Sequence, residues 1–465
     1  MFWFDFNWQI QHFLNQFWWP INFLLLIILV VLGYLAYKKP AYAAWLTIIL
    51  LPTYLFRSKI WFLPFTFLEL CIWVTFLGWF FNKMSSSRGV PPGTPDRDEE
   101  AISKGIASFR NRGTRNDTKL LVYRWPILLI LIASIISLLI APDKVAAAGL
   151  WRAYFVEPIL FFLVLINVGR ERKSREIILW GLGISTLTIS LLAISQKFTG
   201  FGIAEAGWIA ASHRRVTSIF TSPNAVGLFL GPIAVIYLGW IINDLKRIHA
   251  NLDKLSTVYY LLSTIKLLIL ALALLAILFT VSQGTWLGLL AAGLFLAYFG
   301  WRKKITIAIT LTMIILTLMI PASRDKIWPI LTFQDPAGQN RLTLIQMSRQ
   351  YLLESPKNFI LGPGIFGFSK IQNQLREPLK MEALLYPHNI ILNFWLETGL
   401  LGLVGFIWLI IKFFRAGWQK LKTNSPQLAL ALMAAMIAIL IHGLVDVPYF
   451  KNDLAILFWI IIGLI

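Results

Sequence analysis

One pattern governs what this chain can fold into: long apolar runs return along its whole length, parted by short charged connections. The first is "FLLLIILVVLGYLAY" at 23–37, and runs of roughly 17–22 residues fit the hydrocarbon core of a bilayer. Hydropathy places about thirteen spans, near 21–36, 41–56, 60–81, 125–141, 146–168, 176–196, 223–242, 259–281, 284–300, 305–320, 389–411, 426–441 and 453–465. A chain of 465 residues that is 58% hydrophobic and only 14% charged is too apolar to stay in water. The expected fold class is all-α, a polytopic transmembrane helical bundle of about 12–13 spans with a large, partly helical extracytoplasmic loop. The opening "MFWFDFNWQIQHFLNQFWWP" lacks the basic start of a cleavable signal and reads as an interfacial aromatic segment. The single cysteine, Cys71, lies in an apolar run. No disulfide framework or Cys-rich metal site follows from it.

A formal charge of +20 raises the question of nucleic acid. The basic residues instead sit in short clusters between spans, the positive-inside pattern of a membrane protein. "YKKP" (37–40), 82–124, "GRERKSR" (169–175), 243–258, "WRKK" (301–304) and 412–424 carry roughly 25 of the 42 Lys and Arg, which makes that side cytoplasmic. The chain divides at its basic loop. Residues 1–124 hold the N-terminal spans and a cytoplasmic segment, 82–124, rich enough in Pro, Gly, Ser and charge to read as flexible. Residues 125–465 hold the membrane core. "DRD" at 96–98 has the form of a metal-binding Asp-x-Asp, but five consecutive charges on a linker read as solvated.

Two segments on the opposite, outward side are long and rich in functional groups: 197–222 and 321–388. The second carries eight Lys and Arg on the side where they are scarce. That suits an anionic partner, although long translocated loops also escape the charge rule.

Arg214 and Arg215 stand just before "TSPNAVG", where Pro223 marks a helix start. Their forked donors suit phosphate oxygens; snorkelling at the headgroups is the bland alternative. "NRLTLIQMSRQYLLES" (340–355) has amphipathic helical spacing, with Arg341 expected in its first turn, where the dipole does not favour a cation. "GPGIFGF" follows, a Gly-rich turn that lets backbone approach a neighbour.

"YPHNIILNFWLETGLLGL" (386–403) places His388 at the outward mouth of a span, within the expected first turn. A neutral imidazole there can act as a general base, or merely cap the helix. Asn389, Asn393 and Glu397 recur every four residues as one polar stripe. Glu397 lies about 13–14 Å below the mouth and about 180° around from His388. It cannot orient the histidine, and an acid so deep needs a partner; a basic or donor-rich neighbour helix is expected. Arg152 and Glu157 are ionisable residues inside a span, five apart and so not on one face, each needing a partner elsewhere. His442 and Asp446 are four apart, so that on a helix the Asp could orient the His; Pro448 favours a local turn.

"RRVTSIFTSPNAVG", "SQGTWLGLLAAG", "QNRLTLIQMS…SPKNFILGPGIFGF", "PHNIILNFWLETGLLGLVGF" and "HGLVDVPYF" together, in this order over roughly 200–450, resemble the O-antigen ligase/polymerase superfamily of bacterial envelope glycan enzymes. The resemblance implies a GT-C-like membrane glycosyltransferase. Its donor would be a glycan on undecaprenyl diphosphate and its acceptor another glycan or glycolipid, with transfer on the extracytoplasmic face of the plasma membrane. It implies His388 as base and Arg215 and Arg341 as diphosphate clamps, with Arg214 beside them. Many relatives carry Ser-Arg-Gly where this chain has Ser282-Gln283-Gly284. Gln283 can donate to a phosphate oxygen but brings no charge.

The expected chemistry is inverting displacement without metal or cofactor, fixed guanidinium groups stabilising the departing diphosphate. A finished-glycan ligase and a repeat-unit polymerase share this donor and chemistry. From another class, a polysaccharide or lipid transporter would show repeated halves and a midplane site, and neither is visible in the sequence.

Overall fold

The computed structural model describes residues 2–4, 18–60, 63–88, 99–250, 256–300, 303–304, 332, 334, 336–379, 385–422 and 426–465. Among them the fold is a helical membrane bundle, as the apolar runs dictate. Among the described residues, nine helices are long and apolar enough to cross a bilayer. In chain order these include α1 (Trp18–Lys38), α3 (Phe67–Arg88), α4 (Glu99–Ile140), α6 (Glu157–Val168, continuous with α5, Lys144–Trp151), α7 (Arg172–Thr199), α9 (Pro223–Ala250), α10 (Thr257–Thr280), α11 (Gln283–Gly300) and α15 (Ile390–Leu421). Three shorter apolar helices join them: α2 (Pro40–Ile49), α16 (Pro426–His442) and α17 (Asn452–Leu464). These cover twelve of the expected spans; the one at 305–320 lies outside the described residues, as do most of the aromatic opening segment and "DRD".

Three expectations change. The span drawn at 41–56 is a ten-residue α-helix, about 15 Å long, that tightens into a 3₁₀ turn, Leu51–Leu55, at Pro52. The next stretch is not yet helix. β2 (Phe56–Ile60) and β3 (Leu63–Thr66) form a hairpin that β1 (Phe2–Phe4) extends into a three-stranded antiparallel sheet. Pro64 sits on edge strand β3, where a missing N–H is tolerated. The latter part of the loop read as flexible, from Glu99 on, belongs to α4. Its apolar residues Ile102, Ile106 and Phe109 recur at helical spacing.

α9 is the central helix: 89% of its apolar window is buried, against 17% for peripheral α1. It packs on α16, α10 and α11. Small residues allow these close approaches: a Cβ on Gly239 would lie 2.3 Å from the Ala431 Cβ, and one on Gly288 would lie 2.8 Å from the Ala438 carbonyl oxygen. Beyond its first two residues α17 is apolar on all sides and buried, packing against α6.

The long segment between α11 and α15 carries α12 (Pro336–Glu354), α13 (Pro356–Leu361) and α14 (Phe368–Leu379). The expected amphipathic helix is there, burying Leu344, Met347 and Leu352 with Phe368 and Leu396. Pro336 opens it, so Arg341 falls in the second turn rather than the first. A short helix, α8 (Ala206–Ile209), lies in the segment between α7 and α9.

Candidate active site

The site begins at the start of α15. The helix opens at Ile390, not at His388: Asn389 is the N-cap, its side-chain oxygen accepting from the N–H groups of Ile391 (3.0 Å) and Leu392 (3.1 Å). His388 therefore stands outside the first turn and does not cap the helix. Its backbone is left-handed, with φ of 49°, a conformation uncommon for a side chain larger than glycine. Two bonds hold this helix start to the turn after α16. Ile390 N–H donates to the Gly443 carbonyl at 2.7 Å, and Asn389 Nδ2 donates to that of Leu444 at 3.0 Å.

The same turn supplies Asp446, whose Oδ1 lies 3.2 Å from His388 Nδ1. A carboxylate offers only acceptors, so Nδ1–H is the donor and the ring's lone pair is left on Nε2. The acid's side chain is 6% exposed and the histidine's 27%: a buried anion orients a partly exposed ring. Val447 N–H (2.9 Å) and Asn224 Nδ2 (3.3 Å) also donate to Asp446. Burial alone would raise its pKa. The charge and hydrogen bond of His388, with His442 and the Val447 N–H, overcome that and hold the carboxyl well below its ordinary range.

On a helix Asp446 could have oriented His442, but α16 ends at His442 and the chain turns before Asp446, the outcome that Pro448 favoured. Its buried ring packs against Gly284, where a Cβ would come within 2.5 Å.

The arginines differ in which donors are engaged. Among the described residues Arg341 uses only Nε, giving it at 3.1 Å to the carbonyl of Val445, the residue before Asp446. Arg215 donates Nε to Thr280 O (2.9 Å) and Nη2 to Val281 O (3.4 Å), closing the C-terminus of α10. Burial lowers its pKa. Arg214 bonds three carbonyls, those of Lys197, Phe198 and Ile209, and so closes the end of α7. Gln283 is exposed at the N-terminus of α11, in the turn whose Thr280 and Val281 hold Arg215.

Residues 268–407 match the O-antigen ligase family model. The match supports kinship of that stretch with the O-antigen ligase/polymerase superfamily. Its members are glycosyltransferase-like ligases and polymerases that work on lipid-linked glycans in the bilayer. No curated protein sequence matches the chain. The ligase-family stretch contains Gln283, Arg341, His388, Asn389, Asn393 and Glu397. Arg214, Arg215, His442 and Asp446 lie outside it, and of these the fold brings Asp446 to His388.

Among the described residues, Glu397 of the ligase-family stretch finds no basic partner. Its Oε2 accepts from the N–H of Phe366 at 2.8 Å, and its carbonyl accepts from Ser137 Oγ of α4. The acid thus fixes the Gly-rich turn after α13 against α15. At this contact α15 breaks: Gly399 has φ 67° and ψ 179°. A Cβ on Gly399 would lie 2.5 Å from Ile360 O, and one on Gly362 would lie 2.4 Å from Leu396 O. Only glycine fits such backbone-to-backbone contact at positive φ. Asn393 is buried one turn above Glu397.

Arg152 and Glu157 correct another expectation. Residues 152–156 form a π-helical turn between α5 and α6, and its wider winding stacks residues five apart. Arg152 Nε therefore meets Glu157 Oε1 at 3.0 Å, while Nη2 reaches Glu69 Oε2 of α3. Trp73 Nε1 donates to Glu157, and Asn452 Nδ2 to Glu69. The turn presents Tyr154, whose hydroxyl lies 3.4 Å from that of Tyr386, two residues before His388. This network braces the floor of the site. Sequence reasoning missed Glu69, Asn452, Tyr154, Tyr386 and Asn224, whose partners are all distant in the chain.

Proposed function

We propose that the chain transfers a glycan from undecaprenyl diphosphate to an acceptor hydroxyl on the extracytoplasmic face, with His388 as general base and Arg215 and Arg341 gripping the diphosphate. The observation that carries this reading is that one turn, 443–447, holds both functional groups. Asp446 orients His388, and the neighbouring Val445 carbonyl anchors Arg341.

In this reaction His388 Nε2 takes the proton of the acceptor hydroxyl as its oxygen attacks the anomeric carbon. The new C–O bond forms while the bond from that carbon to the diphosphate oxygen breaks, its electron pair leaving on the phosphate. The configuration inverts. Asp446 stabilises the imidazolium, which returns its proton to water or to the released diphosphate. The guanidinium groups meet the developing negative charge with donors already in place, so the step calls for no metal.

The test is transfer from a labelled undecaprenyl-diphosphate glycan by the purified protein in detergent with EDTA. Wild type should retain transfer, and His388→Ala should lose roughly 10²–10⁴-fold in rate. A near-normal rate in His388→Ala would remove the histidine from the mechanism.

A further inference from the structure

Lys451 is the N-cap of α17, and its side chain makes no capping bond there. The ammonium lies 4.6 Å from the centre of the Phe220 ring and 5.2 Å from that of Tyr54. These two rings are stacked at 6.3 Å and come from different parts of the chain. Phe220 follows Arg215 by five residues, and Tyr54 belongs to the 3₁₀ turn before the hairpin. The chain around Lys451 runs through the site: Asp446 holds His388, the Phe450 ring packs on Tyr386 at 6.0 Å, and Asn452 holds Glu69.

Two carboxylates, those of Asp453 and Asp446, act electrostatically on Lys451. Neither reaches ion-pair distance among the described residues, although the lysine is the charge that most favours the buried Asp453 carboxylate. Asp446 is already bonded to His388, Asn224 and the Val447 N–H. Asp453 sits in the first turn of α17, where the helix end favours an acid. Aromatic faces attract an ammonium without engaging its N–H donors one by one. Lys451 therefore holds a half-buried positive charge whose three donors have no hydrogen-bond acceptor among the described residues, beside a turn that contacts His388 and Arg341.

We propose that Lys451 is a further anion-binding residue of this site, its ammonium taking a diphosphate oxygen together with Arg215 and Arg341. The inference rests on the reading of a diphosphate-linked donor. It names a cation outside the matched ligase-family stretch, 268–407, and does not need Arg214, whose guanidinium is engaged by three carbonyls. Burial lowers the pKa of Lys451, and an anion in contact would favour its charged form.

The experiment measures binding of inorganic pyrophosphate to the full chain in a maltoside detergent, which carries no phosphate. Lys451→Met should weaken binding about tenfold, the scale of one charge-assisted hydrogen bond, and Lys451→Arg should stay within a few-fold of wild type. In wild type, pyrophosphate should also shield Lys451 from acetylation, read by mass spectrometry, a measurement that needs no variant to fold. Unchanged affinity in a folded Lys451→Met protein, or no shielding in wild type, overturns the inference. So does an effect of Lys451→Met that appears only in phosphatidylglycerol vesicles, which would assign the lysine to a lipid headgroup. Were wild type to bind no pyrophosphate at all, the donor reading itself would fall. If Arg341→Ala loses binding and Lys451→Met does not, only the lysine is misassigned.

Discussion

Asp446 and His388 are 58 residues apart in sequence and 3.2 Å apart in space, and the pairing decides which nitrogen of the histidine keeps its lone pair. An asparagine at 446 could still accept from Nδ1–H but would not balance the charge that forms on the ring. Asp446→Asn should lower the turnover rate roughly 10²-fold while the donor KM moves little. Steady-state kinetics with varied donor would separate the two, and a change confined to KM would argue against the orienting role.

The same carboxylate couples stability to pH. Its folded pKa lies below that of an unfolded aspartate, so its contribution is complete above about pH 3.9. Protonation removes it as pH falls from there toward the folded value. Wild type and Asp446→Asn should therefore differ in thermal midpoint by a constant amount from neutral pH to about pH 5, and converge in stronger acid. Divergence on acidification would reverse the sign and refute the assignment.

Arg152 stands between two buried acids, Glu69 and Glu157. Removing the arginine alone strands both, and Arg152→Met should destabilise by about 3–5 kcal/mol. The triple change Glu69→Gln, Arg152→Met, Glu157→Gln should recover most of that loss, because no buried charge remains. Thermal unfolding in detergent compares the two. Equal destabilisation would mean that the π turn needs the ions themselves.

How much of this could be read from the chain follows from the range of each interaction. Helices α1, α9, α10 and α11 were legible because apolar length is a local property. Their partners were not: nothing near Asp446 signals that it faces His388 rather than His442, a choice made by where α16 ends. The five-residue spacing of Arg152 and Glu157 argued against contact on an α-helix, and only a π turn reverses that arithmetic. Glu397 was legible as a structural lock, but its partner is a backbone N–H, which no residue type announces.

The break in α15 makes a sharp prediction about glycine. Gly399→Ala places a Cβ against Ile360 O at positive φ and should cost at least about 2 kcal/mol. Gly293 lies inside α11 with open space around it, so Gly293→Ala should be neutral or stabilising by up to about 1 kcal/mol. Thermal midpoints of the pair would test the packing of the Gly362 turn. A tolerant Gly399→Ala would show that this contact can open.

Arg214 and Arg341 look interchangeable as cations but should fail differently. Arg214 closes the end of α7 through three carbonyls, so Arg214→Ala should lower the thermal midpoint and leave donor affinity within a few-fold. Among the described residues Arg341 gives only Nε, to the Val445 carbonyl, which leaves both terminal nitrogens for an anion. Arg341→Ala should weaken donor binding about tenfold or more with a smaller change in midpoint. Arg341→Lys should not restore it, since one ammonium on a flexible stem cannot reproduce a fork that is anchored at one nitrogen and open at two. Donor affinity and midpoint measured on all three variants decide the matter. Full rescue by lysine would reduce Arg341 to a point charge and separate its grip from the Val445 anchor.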